Sequence, residues 1–306
     1  MTNIGTGVIA IEMATAFNRL GSKVTILSRS SGILKGNDQE LSDILFEQLK
    51  NEGITMIDGV TFDKIEQKDS TVSLSLTRNN QKEMVQAQEI LFATGRTPNI
   101  NLGLDVAGVY YDSKGVRVNN RLQTSVEHIY AMGDVSTPYK FTHIAEQEAI
   151  VAASNIGLPI KKSISYEHIG WCIYSDPEFA QIGMTYDDAK EKYPTATLYS
   201  FEYKSTDRGY TDVDKIGRIK VVVLPSGTIL GASILGSRAG ELIHQLQLAK
   251  TFNISFDQLS KMVYIYPTYS DIIKQPAKQF YIQKLMNNPM LKMLKKVASI
   301  FKGGSS

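Results

Sequence analysis

The chain has 306 residues, of which 42% are hydrophobic and 21% are charged, and its formal net charge at pH 7 is +2. The length allows two or three domains with a sizeable core, and so small a charge argues against a nucleic-acid partner. No apolar run is long enough to span a membrane, no secretory leader is recognisable, and the one cysteine, Cys172, excludes an intramolecular disulfide. We therefore expect a cytoplasmic protein, and we predict no metal site.

The first thirty residues predict a strand, a glycine turn, a helix and a second strand. Gly5 and Gly7 form the turn, an apolar helix follows and ends near Gly21, and residues 23–27 are typical of a β-branched strand. Gly5 permits the tight turn, and Gly7 lets the backbone approach a pyrophosphate held at the helix N-terminus. Ala10 takes the third position, where a small residue allows close packing. Alone, the pattern is equally compatible with a merely tight turn.

The residue that ends the second strand bears on the choice of nucleotide. Enzymes that use NADH place an acid here to bind the ribose 2′-hydroxyl, whereas those that use NADPH favour a nearby arginine for the 2′-phosphate. Here the acid's position holds Ser28, and Arg29 follows. Arginine can bind a phosphate through two hydrogen bonds. We predict NADPH rather than NADH; the alternative is a plain polar loop with a surface arginine.

The next part of the chain continues the alternation of helices and strands. A second helix is predicted over Gln39–Glu52, followed by short strands, and residues 89–99 predict a buried strand that enters a Gly/Pro loop. Tyr110–Val118 predicts a strand pair, residues 129–135 another buried strand that ends in Gly-Asp, and His143–Ile156 a helix.

Beyond Pro159 the pattern changes to antiparallel strands with helices between them, which predicts an α+β domain. The predicted strands are Trp171–Tyr174, Ala180–Gly183, Leu198–Tyr203, Ile216–Val223 and Thr228–Leu235.

Eight segments carry a resemblance to a known family. They are IGTGVIAIE (4–12), ATGRTPN (93–99), TSVEHIYAMGDV (124–135), THIAEQEAIVAASNI (142–156), SDPEFAQIGMT (175–185), GRIKVVV (217–223), ILGASILGSRAGELI (229–243) and YPTYSD (266–271). In this order and spacing the chain resembles the flavin-dependent pyridine nucleotide–disulfide oxidoreductases, the family of dihydrolipoamide dehydrogenase, glutathione reductase and mercuric reductase.

The resemblance implies an α/β fold in three parts, followed by a tail. These are a Rossmann-like NAD(P)-binding domain (1–96), the C-terminal part of a FAD-binding domain (97–160), an α+β dimerisation domain (161–285) and a basic amphipathic tail (286–306). The dimerisation domain implies a homodimer.

In that family a flavin-binding segment with its own glycine fingerprint and a Cys-x-x-x-x-Cys disulfide comes first, and neither pattern occurs here. The chain therefore resembles the second part of such an enzyme, which passes electrons from NADPH through FAD to a disulfide or metal acceptor. The alternatives are a truncated nucleotide-binding and dimerisation module without turnover, and half of a split enzyme completed by a separately encoded front half. We expect this chain alone to be inactive, with Cys172 as a small buried hydrophobic residue.

The resemblance assigns residues to NAD(P). Gly5, Gly7, Ala10, Ser28, Arg29 and Gly95 would hold the nucleotide, with Gly95 in the loop that crosses between the nucleotide domains. Glu12 would lie near the nicotinamide, or else be an ordinary acid in the first turn of its helix.

A second set of residues is assigned to FAD. Gly133 and Asp134 form the flavin signature, in which the carboxylate accepts hydrogen bonds from the ribityl hydroxyls. His143, Ile144 and Ala145 begin a helix whose N-terminus would approach the flavin and stabilise negative charge on its reduced form.

The segment YPTYSD departs from the family pattern. Tyr266 stands where dihydrolipoamide dehydrogenase and glutathione reductase have a histidine base, and Asp271 stands where they have its partner glutamate. Tyrosine, with a pKa near 10, is a poor base at neutral pH, and His168 and His244 do not restore the pair. A mercuric-reductase-like branch fits better; alternatively, Tyr266 is an interface aromatic.

Residues 285–302, LMNNPMLKMLKKVASIFK, have the pattern of a basic amphipathic helix. Met290, Leu294, Val297 and Phe301 recur at helical spacing, and Lys292, Lys295, Lys296 and Lys302 lie mostly on other faces. A basic amphipathic helix can contact an anionic membrane surface, pack on the dimer, or form an exposed tail.

Overall fold

The amino-terminal sheet is parallel and has the order β3-β2-β1-β7. In the computed structural model, which describes residues 1–213, 216–291 and 293, its strands are β1 (Thr2–Ile4), β2 (Thr25–Leu27), β3 (Thr55–Ile57) and β7 (Ile90–Phe92). The connecting helices are α1 (Val8–Arg19) and α2 (Gln39–Asn51). The predicted strand, turn, helix and strand are all present.

A three-stranded antiparallel sheet is inserted before β7. Its strands are β4 (Val60–Lys68), β5 (Thr71–Arg78) and β6 (Gln81–Ala87). The prediction of a buried strand at residues 89–93 is wrong in its burial, since β7 exists but Phe92 is 62% exposed. β7 lies at the edge of its sheet, with β1 as its one neighbour, which explains the exposure.

The carboxy-terminal sheet is antiparallel and has the order β10-β11-β14-β13-β12. Its strands are β10 (Gly170–Ile173), β11 (Glu178–Gly183), β12 (Thr197–Glu202), β13 (Arg218–Val223) and β14 (Ile229–Gly236). Its helices are α4 (Tyr186–Lys192), α5 (Asp207–Thr211), α6 (Ala239–Thr251), α7 (Phe256–Leu259) and α8 (Asp271–Asn287). The predicted α+β pattern is confirmed.

The two sheets at the ends of the chain belong to one compact unit, Met1–Thr94 with Gly170–Ser306. Side chains from α1 and α2 pack in one hydrophobic cluster with Ile173, Phe179 and Leu235 of the antiparallel sheet. The helix α1, which follows the first glycine turn, therefore packs against residues of both sheets.

Residues Gly95–Ile169 form a second unit. It contains the short pair β8 (Tyr111–Asp112) and β9 (Gly115–Val116) and the helix α3 (Thr142–Gly157). The prediction of a buried strand at 129–135 is wrong, because Gly133–Val135 is a 3-10 turn and Tyr130 makes only an isolated bridge with Gln123. Within the described part of this unit no strand pairs alongside that segment, and a strand forms only in a ladder.

The predicted tail lies largely outside the described residues, including Leu294, Val297, Phe301 and the four lysines. None of the helices in the described ranges is long and apolar enough to cross a membrane.

Candidate functional site

The glycine turn between β1 and α1 requires glycine at its first position. Gly5 has a φ of +120°, and a Cβ on it would lie 2.4 Å from the carbonyl oxygen of Ala93. Its N–H donates to the carbonyl of Leu27 at 2.9 Å. The turn is thus pressed against the start of the loop after β7, and any side chain would force it away.

The second glycine has a different surrounding. Gly7 is the N-cap of α1, with a φ of −79°. Because glycine has no side chain, no side-chain hydrogen bond caps the helix here. No described atom lies within 4 Å of where its Cβ would be. The N-terminus of α1 is therefore open on this side, which is the geometry that accepts an anion. Ala10 is fully buried, and its carbonyl accepts a hydrogen bond from Asn3 Nδ2 at 3.1 Å.

Glu12 lies in the second turn of α1, because the helix begins at Val8. The alternative interpretation of Glu12 as a first-turn acid is therefore wrong. Its Oε1 accepts the N–H of Tyr174 at 2.9 Å, so this carboxylate links the helix to the segment after β10.

The loop after β2 presents an unpaired cation. Ser28 is buried, and its hydroxyl donates to the carbonyl of Ser30 at 2.7 Å. Arg29 is exposed, and no described carboxylate forms an ion pair with it. Lys35, which the sequence interpretation overlooked, is a second exposed cation of the same loop.

Gly133 and Asp134 form a tight turn in the second unit. Gly133 has a φ of +69°, and a Cβ on it would lie 3.2 Å from the Cβ of Ala145. The Asp134 carboxylate accepts a hydrogen bond from Arg96 Nη1 at 3.0 Å, and both side chains are about half exposed. Gly95, next to Arg96, has a φ of +135° with no described atom near its Cβ position.

The start of α3 follows in the same unit. No described side chain caps this helix at Phe141. His143 is exposed and its ring stacks on Phe141 at 5.6 Å between centroids, whereas Ile144 is buried and Ala145 is half-buried. Ala145 thus lies close to Gly133 within this unit.

A buried carboxylate that sequence reasoning missed holds this turn. Glu148 is fully buried, and its oxygens accept the N–H of Gly133 at 2.6 Å and the hydroxyl of Tyr166 at 2.5 Å. Burial raises the pKa of Tyr166, and the adjacent Glu148 carboxylate raises it further. Glu148 follows the buried Ile144 by one helical turn, and this spacing could have identified it.

The two residues singled out in YPTYSD have different surroundings. Tyr266 is 69% exposed, and the nearby Asp207 carboxylate raises the pKa of its hydroxyl. Asp271 is buried at the start of α8, with Lys274 Nζ 3.5 Å from its carboxylate. The carboxylate with the largest effect on the pKa of Tyr266 is thus that of Asp207, another residue that the sequence interpretation did not single out.

Cys172 is half-buried in β10 and packs against the core of the carboxy-terminal sheet. Burial raises the pKa of its thiol to about 12, and Glu178 adds to the effect. Because the thiolate is the reactive form, the raised pKa argues against a reactive Cys172 at neutral pH.

The fold and the glycine turn define an α/β dinucleotide-binding protein with a carboxy-terminal α+β domain. The family model for pyridine nucleotide-disulphide oxidoreductases matches residues 2–149, and the model for the dimerisation domain of that family matches residues 169–277. The chain belongs to the pyridine nucleotide-disulphide oxidoreductase family. Members of this family depend on FAD and use pyridine nucleotides.

Two curated relatives illustrate the similarity. A mercuric reductase of Staphylococcus aureus is 34% identical over 281 residues, which cover 90% of this chain and 51% of the relative. A dihydrolipoyl dehydrogenase of Bacillus subtilis (strain 168) is 32% identical over 276 residues, which cover 89% of this chain and 59% of the relative. The chain thus spans about half to three-fifths of the length of these relatives.

Solved structures support the fold. The HOCl-induced flavoprotein disulfide reductase RclA of Escherichia coli superposes with a TM-score of 0.83 at 24% identity, covering 90% of this chain and 64% of that one. LpdA of Mycobacterium tuberculosis gives 0.83 at 21% identity, covering 91% and 61%. Both similarities confirm the predicted α/β fold.

Proposed function

We propose that this chain forms the nucleotide-binding and dimerisation part of a flavoprotein oxidoreductase, which passes electrons from NADPH through FAD to a disulfide or metal acceptor. The observation that carries the proposal is the open N-terminus of α1 beside Gly7, directly after a turn that only glycine can make. The acceptor classes come from relatives named mercuric reductase and flavoprotein disulfide reductase.

The residues present fit a dinucleotide. The backbone N–H groups at the start of α1 and the positive end of its dipole would hold a pyrophosphate, with Gly7 leaving room for it. Glu12, one turn further along the helix, would lie near the nicotinamide. Its hydrogen bond from Tyr174 supports this role by fixing the carboxylate in place.

The loop after β2 favours NADPH over NADH. Position 28, where enzymes that use NADH place an acid, holds a serine, so no carboxylate at this position repels a 2′-phosphate. Among the described residues, no carboxylate pairs with the exposed Arg29, so no such ion pair has to break before Arg29 binds that phosphate. A guanidinium offers two parallel donors to phosphate oxygens.

The choice of nucleotide is tested by replacing Arg29. Arg29→Ala should weaken NADPH binding by about 1–3 kcal/mol and leave NADH binding unchanged, because only NADPH carries the 2′-phosphate. Lys35→Ala, in the same loop, controls for the general loss of positive charge. Calorimetric titration of both nucleotides decides the question: equal affinities for NADPH and NADH in the unmodified chain would refute the preference.

The second unit offers residues that would contact part of a flavin. Asp134 would accept hydrogen bonds from the ribityl hydroxyls once Arg96 releases it, Gly133 would leave room for the flavin, and the helix start at His143, Ile144 and Ala145 would face it. When bound, NADPH supplies a hydride and FAD accepts it.

Tyr266 suits hydrogen-bond donation better than proton abstraction. The nearby Asp207 carboxylate raises the hydroxyl pKa above the ordinary value for tyrosine, so the proton stays on the oxygen at neutral pH. We propose that Tyr266 meets the acceptor as a neutral donor, and that Asp271 supports the start of α8. This role differs from that of a histidine base.

A homodimer would cover the apolar surface of the carboxy-terminal domain. Val263 is 99% exposed and Ile265 is 82% exposed, and Leu248 and Phe252 of the α6 region are exposed as well. Large exposed apolar groups mark interaction surfaces. Sedimentation at micromolar concentration should show a dimer, and a monomer alone would count against this assembly.

The second candidate function is nucleotide binding without turnover. The favouring observation is that Cys172 is the one cysteine in the sequence and has a raised thiol pKa. A single thiol cannot cycle between dithiol and disulfide. On this reading the chain binds NADPH but transfers no electrons by itself, with or without a separately encoded front half.

A further inference from the structure

The loop that carries Arg29 is held by hydrogen bonds and an ion pair at several points along its length. This segment, residues 28–38, is named here the nucleotide loop. At its start, the Ser28 N–H donates to Ile57 and the Ser28 carbonyl accepts from Val60, at 3.0 and 3.1 Å. These bonds belong to the parallel sheet and are expected of any chain that leaves a strand. The unusual contacts lie at the other end of the loop.

A chain of three hydrogen bonds joins the carboxy-terminal sheet to the glycine turn. Trp171 Nε1 in β10 donates to Asn37 Oδ1 at 2.8 Å, and Asn37 Nδ2 donates to the carbonyl of Leu34 at 2.9 Å. The N–H of Leu34 then donates to the carbonyl of Thr6 at 2.9 Å. Thr6 is the middle residue of the turn Gly5-Thr6-Gly7. We call these three bonds the indole relay.

A buried ion pair fixes the end of the same loop. Lys220 Nζ in β13 lies 2.8 Å from Asp38 Oδ2, and the two residues are 7% and 4% exposed. Asp38 also accepts the N–H of Leu41 at 3.1 Å as the N-cap of α2. Its own N–H donates to Gln181 Oε1 at 3.0 Å. The last residue of the nucleotide loop is thus held from three directions.

We expect the middle of the nucleotide loop to change conformation if these contacts are lost. Leu34 has a φ of +52°, a left-handed conformation that a leucine adopts only under restraint. The indole relay runs through both backbone groups of Leu34: the carbonyl accepts from Asn37, and the N–H donates to Thr6. The Leu34 carbonyl also accepts the backbone N–H of Asn37 at 3.1 Å. Releasing the Asn37 side chain would leave that bond in place but weaken the restraint on Leu34, and would thereby weaken the hydrogen bond to the glycine turn.

We propose that Trp171 and Lys220, both from the carboxy-terminal domain, are positioning residues for the nucleotide turn. Trp171 acts through Asn37 and Leu34 on Thr6, and Lys220 acts through Asp38 on the end of the nucleotide loop. The carboxy-terminal domain therefore helps to shape the site for NADPH in addition to its part in dimerisation. The inference rests on the proposed function for the identity of the ligand, whereas the relay is a property of the ligand-free chain.

Amide hydrogen exchange on the full ligand-free chain tests the relay without any nucleotide. Asn37→Ala removes its central member, and Trp171→Phe keeps an aromatic ring while removing the N–H donor. Both should make the amides of Leu34 and the glycine turn exchange about five- to tenfold faster, the change expected for the loss of one hydrogen bond. If Trp171→Phe impairs folding, Asn37→Ala still tests the relay, because Asn37 is only half-buried.

Asp176→Asn is the matched control. It removes the ion pair of Asp176 with Arg19 at the end of α1, which also joins the carboxy-terminal part of the chain to the first Rossmann-like segment but lies outside the relay. Exchange near Leu34 should stay within about twofold of the unmodified chain in this variant. Unchanged exchange in Asn37→Ala, or an equal rise in Asp176→Asn, would overturn the proposal.

A titration with NADPH then measures the consequence for the site. Asn37→Ala and Lys220→Met should weaken NADPH binding by about three- to tenfold, and Lys220→Arg, which keeps the charge, should recover part of the loss. Full affinity in both disruptive variants would contradict the positioning role. If the unmodified chain binds no NADPH, the proposed function fails, while the exchange measurement still decides whether the relay holds the turn.

Discussion

Two glycine turns in this chain lead into helices, and they are supported by different means. The turn at Gly5 follows β1, a strand with a parallel neighbour on either side, and its N–H joins the backbone of Leu27. The turn at Gly133 follows a segment that forms no strand within the described part of its unit. Backbone ladders therefore fix the first turn, and side chains fix the second.

The second turn is held by one buried carboxylate. Glu148 accepts from both Gly133 and Tyr166, and the N–H of Thr137 donates to the carbonyl of Gly133 at 3.0 Å. This arrangement depends on Glu148, because a buried polar group that loses its partner costs more than the bond was worth. The comparison predicts that the first turn is sensitive to backbone changes and the second to a single carboxylate.

The largest effect is expected at the first turn. Gly5→Ala should lower the free energy of unfolding by about 2–4 kcal/mol, since it places a Cβ against the Ala93 carbonyl at a left-handed φ. Gly7→Ala should cost less than about 1 kcal/mol, because no described atom opposes its Cβ. Urea unfolding of both variants provides the measurement. Similar losses of stability in the two variants would contradict the distinction between Gly5, which the turn requires, and Gly7, which leaves room for a ligand.

A smaller effect is expected at the second turn. Glu148→Gln should lower stability by about 1–3 kcal/mol, because an amide cannot accept from both Gly133 and Tyr166 with the strength of a carboxylate. Glu146→Gln, an exposed position on the same helix, is the control and should be nearly neutral. Hydrogen exchange at residues 133–137 reports the effect locally. A neutral Glu148→Gln would show that this carboxylate does not support the turn.

Local patterns of sequence were enough to predict the first turn and most of the fold. Gly5, Gly7 and Ala10 are close in sequence, and helix and strand periodicity identified α1, α2 and the antiparallel sheet. The strand at 129–135 was predicted wrongly because an apolar run becomes a strand only when a neighbour pairs with it. Trp171 and Asn37 are 134 residues apart, and no local pattern joins two residues at that distance.

The surroundings of Tyr266 show the same limit. Its position in YPTYSD suggested Asp271 as its companion, five residues along the chain, but the carboxylate that raises the pKa of its hydroxyl most is that of Asp207. Asp207 begins α5, and only the packing of the carboxy-terminal domain brings the two together. Glu148 is intermediate between these cases. Its helical spacing from Ile144 predicts that it is buried, whereas that spacing does not predict its hydrogen-bond partners.

The central claim is that the first nucleotide site is complete in this chain and that the flavin site is not. Equilibrium dialysis of the purified chain of 306 residues against NADPH and against FAD tests both halves of that claim in one experiment. We predict saturable binding of NADPH, little or no retained FAD, and no NADPH-dependent disulfide reduction, because a flavin held only at Asp134 and the start of α3 lacks an enclosing pocket. Stoichiometric FAD with steady turnover, or no binding of NADPH at all, would contradict the account.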